Sequence, residues 1–171
     1  FIMSGETNHL SYPLILATAT LPYLMYNLGF FEKFFNKECK KIFMGDAGSM
    51  FVGLSVIWLL TMGTQGEQAS FRPVTALWIC GIPLMDMLAI VVRRYKNGKS
   101  PFKPDRDHLH HILQRAGLSS RHTLVAISIA AAIMSTIGLL GEYFNVPDVI
   151  MLIGFLLMFI TYNLAIRHIT K

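Results

Sequence analysis

Five long apolar stretches, 11–30, 44–62, 73–92, 122–141 and 148–166, alternate with polar segments along the 171 residues. A helix needs roughly 20 residues to cross a bilayer core at about 1.5 Å per residue, and each stretch meets that length. Pro13, Pro22 and Pro83 fall inside them. A membrane helix tolerates such breaks because neighbouring helices satisfy the freed carbonyls. The pattern predicts an all-α, polytopic integral membrane protein with about five transmembrane helices. Composition agrees: 53% hydrophobic and 15% charged residues, with a mean hydropathy of +0.49, are too apolar for an ordinary soluble domain.

The basic residues orient the spans. Segment 31–43 holds Lys33, Lys37, Lys40 and Lys41, segment 93–121 holds eight more, and the tail adds Arg167 and Lys171. Only Arg72 of the 15 basic residues falls in the alternate loops, which carry Glu6, Glu67 and Glu142. The positive-inside rule then places 31–43, 93–121 and the C-terminus in the cytoplasm. The net charge of +5 is therefore topological, and no nucleic-acid partner is expected. Cys39 in a cytoplasmic loop and Cys80 inside a span do not suggest a disulfide. Phe1-Ile2-Met3 reads like the last turn of an earlier helix, so a preceding N-terminal portion is expected.

The densest polar segment runs from Lys99 to His111 and contains three of the six histidines. Lys99, Lys103 and Arg106 attract anions, and His108, His110 and His111 donate hydrogen bonds or bind metal. Residues 108–117 read as a short helix with Asp107 as cap and Gly117 past its end. Leu109, Ile112, Leu113 and Ala116 form its apolar face, with His108, His111 and Arg115 on a stripe beside it and His110 pointing away. An amphipathic helix lying on the membrane is the plain alternative. Structural zinc fits poorly, since no cysteine is near. The segment suits phosphate chemistry at a membrane surface, with His108, His110, His111, Arg106 and Lys103 as substrate-binding candidates.

Gly45-Asp46-Ala47-Gly48-Ser49 opens the second span. Asp46 there suits the helix dipole, and a plain helix cap is the alternative reading, while the glycines allow close backbone approach to a ligand. Gly48 and Gly53 also suit close helix packing. A carboxylate beside a diphosphate calls for a bridging Mg²⁺, which makes Asp46 a metal-ligand candidate. Asp86, inside the third span, is an intramembrane carboxylate, and such groups face a polar interior or a partner. It is assigned a supporting place behind the site.

Phe43-Met44-Gly45-Asp46-Ala47-Gly48-Ser49, Pro83-Leu84-Met85-Asp86 and Pro104-Asp105-Arg106-Asp107-His108-Leu109-His110-His111 together resemble the polyprenyl-phosphate N-acetylhexosamine-1-phosphate transferase family. The resemblance implies an inner-membrane enzyme with its site on the cytoplasmic face. It implies that a lipid-phosphate oxygen, of undecaprenyl phosphate, attacks the β-phosphorus of UDP-GlcNAc to give lipid-diphosphate-GlcNAc and UMP. That step begins cell-surface polysaccharide synthesis and uses Mg²⁺ or Mn²⁺. Asp46 matches the family's metal-binding aspartate, with Asp46 and His108 implied as catalytic, and His108, His110 and His111 match its histidine motif. The family's aspartate-rich and Asn/Asp-Gly motifs do not occur here, so residues 1–171 read as the C-terminal part of the transferase, inactive without the N-terminal half. Competing readings are a same-family enzyme with another UDP-amino sugar and a secondary transporter built around Asp86 and Pro83.

Overall fold

A computed structural model describes residues 11–29, 42–66, 69–96, 98, 100 and 108–169. These form seven helices and no strand, in two compact units, 1–71 and 72–171.

In the first unit, α1 (Ser11–Asn27) packs against α2 (Gly45–Thr64). The chain entering α2 is tied to the end of α1 by polar contacts. Tyr23 Oη donates to Ile42 O at 3.1 Å, and Ile42 N donates to Asn27 Oδ1 at 3.1 Å. At the far end of α2, Ser70 N and Phe71 N both donate to Gly63 O, and the Phe71 ring fills the space a side chain at 63 would take. Phe51, Leu54, Ile57 and Trp58 of α2 are exposed. Exposed apolar side chains on a 20-residue helix whose one charge, Asp46, lies in its first turn suit lipid as the surrounding solvent.

The second unit contains α3 (Pro73–Ile79), α4 (Gly81–Lys96), α5 (Leu109–Arg115), α6 (Ser120–Tyr143) and α7 (Asp148–Ile169). The continuous span expected over 73–92 is broken: α3 and α4 meet at Cys80 with a bend of 81°. Pro83 has no N–H, so Ile79 O, four residues earlier, lacks its helical donor. Ser135 Oγ of α6 donates to that carbonyl at 3.3 Å. The bend also follows from the packing of Trp78. Its Cβ lies where a Gly138 side chain would be, 2.4 Å from an added Cβ, and its ring lies 3.4 Å from one added at Gly154. Its Nε1 donates to Met151 O at 3.2 Å, and its ring meets Phe155 edge-on at 5.8 Å. Val74, Trp78, Met85, Met134, Met151 and Phe155 form the core.

Arg72, the lone exception to the charge asymmetry, clasps this unit. Its guanidinium donates to Glu142 at 3.2 Å, to Asp148 at 2.5 Å, and to the carbonyls of Val146 at 2.7 Å and Gly141 at 3.2 Å. Thr75 Oγ1 donates to Glu142 as well. The start of α3 is thus bound to the turn between α6 and α7.

By length and composition, α2, α6 and Asp148–Arg167 of α7 are each able to cross a membrane, and the bent α3–α4 pair makes up to four spans. The first stretch, expected over 11–30, gives a helix of 17 residues that stops at Asn27, before Gly29 with its positive φ of 72°. The polytopic, all-helical expectation therefore holds among the described residues, with three or four spans where about five were expected.

Candidate functional site

Asp86 sits in the second turn of α4 with its side chain only 15% exposed, and three groups converge on it. Leu109 N donates to Oδ1 at 3.0 Å, Tyr162 Oη of α7 donates to Oδ1 at 3.1 Å, and His108 Nδ1 lies 3.0 Å from Oδ2. Leu109 is the first residue of α5, whose opening N–H groups have no partner within the helix. A carboxylate from another helix therefore does the work expected of a local cap. Asp107, the cap expected from the sequence, lies outside the described residues. The residue in the cap position is His108, in an extended conformation with ψ 151° and without a side-chain cap bond.

This start changes the expected arrangement of the histidines. His108 stands before the helix, so its ring does not follow the helical stripe through His111 and Arg115 but turns back to Asp86. His110, expected to point away, lies among the others. Its ring stacks on His108 at 5.9 Å between centroids and meets His111 at 4.0 Å. Partial burial holds the His110 imidazole below its ordinary range, and the neighbouring His111 and His108 push the same way, against a smaller opposing pull from Asp86. Ile112 is buried and anchors α5, while Ala116, expected on the apolar face, is exposed. Lys103 and Arg106 lie outside the described residues.

Arg93, Arg94 and Lys96 close α4, where cations suit the helix C-terminus. Arg94 is buried, and its Nη1 donates to Ser100 O at 3.0 Å. Basic side chains, three imidazoles and an ordered carboxylate thus belong to the segments flanking residue 100. Such a set suits the binding of phosphate oxygens.

Asp46 belongs to the first unit. It is exposed, in the first turn of α2, one residue inside a helix whose cap position is Met44 and has no side-chain cap bond. Ser49 Oγ donates to the Asp46 carbonyl at 2.9 Å, so the carboxylate is not used in that local bond. The flanking glycines have separate reasons. Gly45 has a φ of 75°, which side chains disfavour, and a Cβ at Gly48 would stand 2.7 Å from Met44 Cγ. The close helix packing expected at Gly53 is absent among the described residues, where an added Cβ meets nothing within 4 Å. Among the described residues no three His, Cys, Asp or Glu side chains gather tightly enough to hold a metal. Asp46 offers one hard oxygen of the kind Mg²⁺ takes, which is one ligand and not a complete site.

Residues 1–64 match the model of the family described as Glycosyl transferase family 4. The chain is 51% identical over 155 residues to the undecaprenyl-phosphate alpha-N-acetylglucosaminyl 1-phosphate transferase of Pasteurella multocida, covering 90% of this chain and 42% of that protein. Against the protein of the same name from Escherichia coli K12 the identity is 47% over 168 residues, 98% of this chain and 44% of the relative. The chain is homologous to these bacterial transferases. A third, from Haemophilus influenzae, is 48% identical over 166 residues, 96% of this chain and 45% of the relative. The resemblance carried by the three motifs is thereby shown, and the chain spans less than half the length of the relatives it matches. No solved structure matches it.

Tyr162 and the Leu109 N–H are the partners of Asp86 that the sequence did not point to. Tyr162-Asn163 is a polar pair within an apolar stretch, and a polar group in a span usually has a partner.

Proposed function

We propose that the full-length protein transfers N-acetylglucosamine 1-phosphate from UDP-GlcNAc to undecaprenyl phosphate and releases UMP. The reaction takes place at the cytoplasmic face of the bacterial inner membrane. The observation that carries this reading is the ordered histidine cluster of α5, fixed by Asp86 beside the basic end of α4, in a chain about half identical to transferases named for this reaction. The charge asymmetry of the loops supports the cytoplasmic face.

The chemistry asks little covalent work of the protein. An oxygen of the lipid phosphate forms a bond to the β-phosphorus, the bond from that phosphorus to the bridging oxygen breaks, and UMP leaves with the electron pair. Catalysis then rests on holding the two phosphate groups together and compensating their charge. His110 and His111 bind diphosphate oxygens through their ring N–H groups, joined by Lys103 and Arg106 of the preceding segment, and His108, whose Nδ1 faces Asp86, joins them through Nε2 when its ring is protonated. Mg²⁺ or Mn²⁺, when bound, neutralises the diphosphate, with Asp46 as one of its oxygen ligands.

Asp46→Asn in the full-length protein tests the metal assignment. The substitution keeps the size and the helix start but removes the charge. Turnover should fall at least about 100-fold, as when a group acting on developing charge is lost, with the amount of protein in the membrane unchanged. Activity near that of the unsubstituted protein at ordinary Mg²⁺ would reduce Asp46 to part of the helix start.

A further inference from the structure

Tyr162 lies on α7, 76 residues from Asp86 and 54 from His108 in sequence, yet it completes the arrangement around His108. Asp86 Oδ1 accepts two hydrogen bonds, from the Leu109 backbone and from Tyr162 Oη, and these fix the plane of the carboxylate. Oδ2 is left facing His108 Nδ1 at 3.0 Å. A carboxylate oxygen only accepts, so the proton between them belongs to Nδ1. When the ring is neutral, a proton on Nδ1 means a lone pair on Nε2. The half of the ring away from Asp86 is then set by contacts on the side toward it.

We propose that Asp86 and Tyr162 are positioning residues that lock His108 in the Nδ1–H tautomer, so that Nε2 is the nitrogen presented to the phosphate-bearing substrate. The chain of contacts runs Tyr162 Oη to Asp86 to His108, and through the Leu109 N–H the same carboxylate also holds the start of α5. Helix α7 thereby takes part in ordering the histidine cluster without touching substrate. The substrate side of this inference rests on the proposed transferase reading, while the tautomer and its dependence on Asp86 and Tyr162 do not.

The test uses the full-length protein in lipid nanodiscs with ¹⁵N-labelled histidine, assigned by comparison with His108→Ala. Long-range ¹H–¹⁵N correlations distinguish the two tautomers directly. His108 should carry its proton on Nδ1. In Asp86→Asn the amide keeps an acceptor for Leu109 N and offers its NH₂ group to the ring, so His108 should change to the Nε2–H form. Tyr162→Phe, the milder variant should Asp86→Asn fold poorly, should give a mixture of tautomers. Each variant should lower kcat for UMP release about 10-fold, with a smaller change in KM for the sugar nucleotide, an effect of the size seen when partners that orient an imidazole are removed. In a His108→Ala background Tyr162→Phe should cost nothing further. An Nε2–H tautomer in the unsubstituted protein, or one that neither variant alters, overturns the proposal. The predicted tautomers in a protein that releases no UMP would leave the positioning intact and refute the transferase reading instead.

Discussion

Asp86 shows what a residue-scale reading of the sequence reaches. A carboxylate within an apolar stretch announces a partner, and a supporting place behind the site is as far as the sequence takes it. Its partners lie 22, 23 and 76 residues away, and hydropathy holds no record of such separations. The histidines were legible as a group, but their arrangement was not. A helical wheel drawn through His108 assumes that His108 is helical, and an extended residue at the cap position breaks that assumption. His110 consequently joins the cluster, and its depressed pKa gives a direct check. Folding disfavours its charged form, so stability linked to this group is fully present above its unfolded value. That stability is lost as pH falls through the unfolded value toward the lower folded one. An NMR titration of His110 should show a midpoint below 6.5, and a midpoint above it would place the ring outside the cluster.

Among the elements, the broken third span differs most from expectation. Pro83 was visible in the sequence, and its tolerance by neighbouring helices was foreseen. The place of the break was not, because it depends on Ser135 meeting Ile79 O and on Gly138 and Gly154 making room for Trp78. Small residues on α6 and α7 look like ordinary apolar positions until the bulky partner is known. Gly138→Ala puts a methyl 2.4 Å from Trp78 Cβ, which cannot fit without moving α3 or α6. Overpacking of this kind costs about 1–3 kcal/mol. Thermal unfolding of the full-length variant in detergent should show a lower Tm, and an unchanged Tm would mean that α3 and α6 are not packed this closely. The Arg72 clasp has a similar history: its charge stood out as an exception to the loop asymmetry, but its acceptors lie about 70 residues further along the chain.

At the scale of the whole molecule, the all-helical membrane architecture was readable because the bilayer imposes one length and one polarity on every span. The count was less so. Length and hydropathy do not distinguish a straight span from two helices at 81°, and a stretch of 20 residues yielded a helix of 17 in α1. The proposed chemistry rests on three motifs that interrupt an otherwise apolar chain, and relatives 47–51% identical bear a name that fits it. The most direct measurement follows the sugar and the nucleotide together. Purified full-length protein would be supplied with undecaprenyl phosphate, Mg²⁺ and UDP-GlcNAc labelled in the sugar. UMP and labelled lipid-diphosphate-GlcNAc should appear in equal amounts, and both should require the lipid phosphate. UMP formed without lipid product, or no turnover while another UDP-amino sugar is used, would contradict the account.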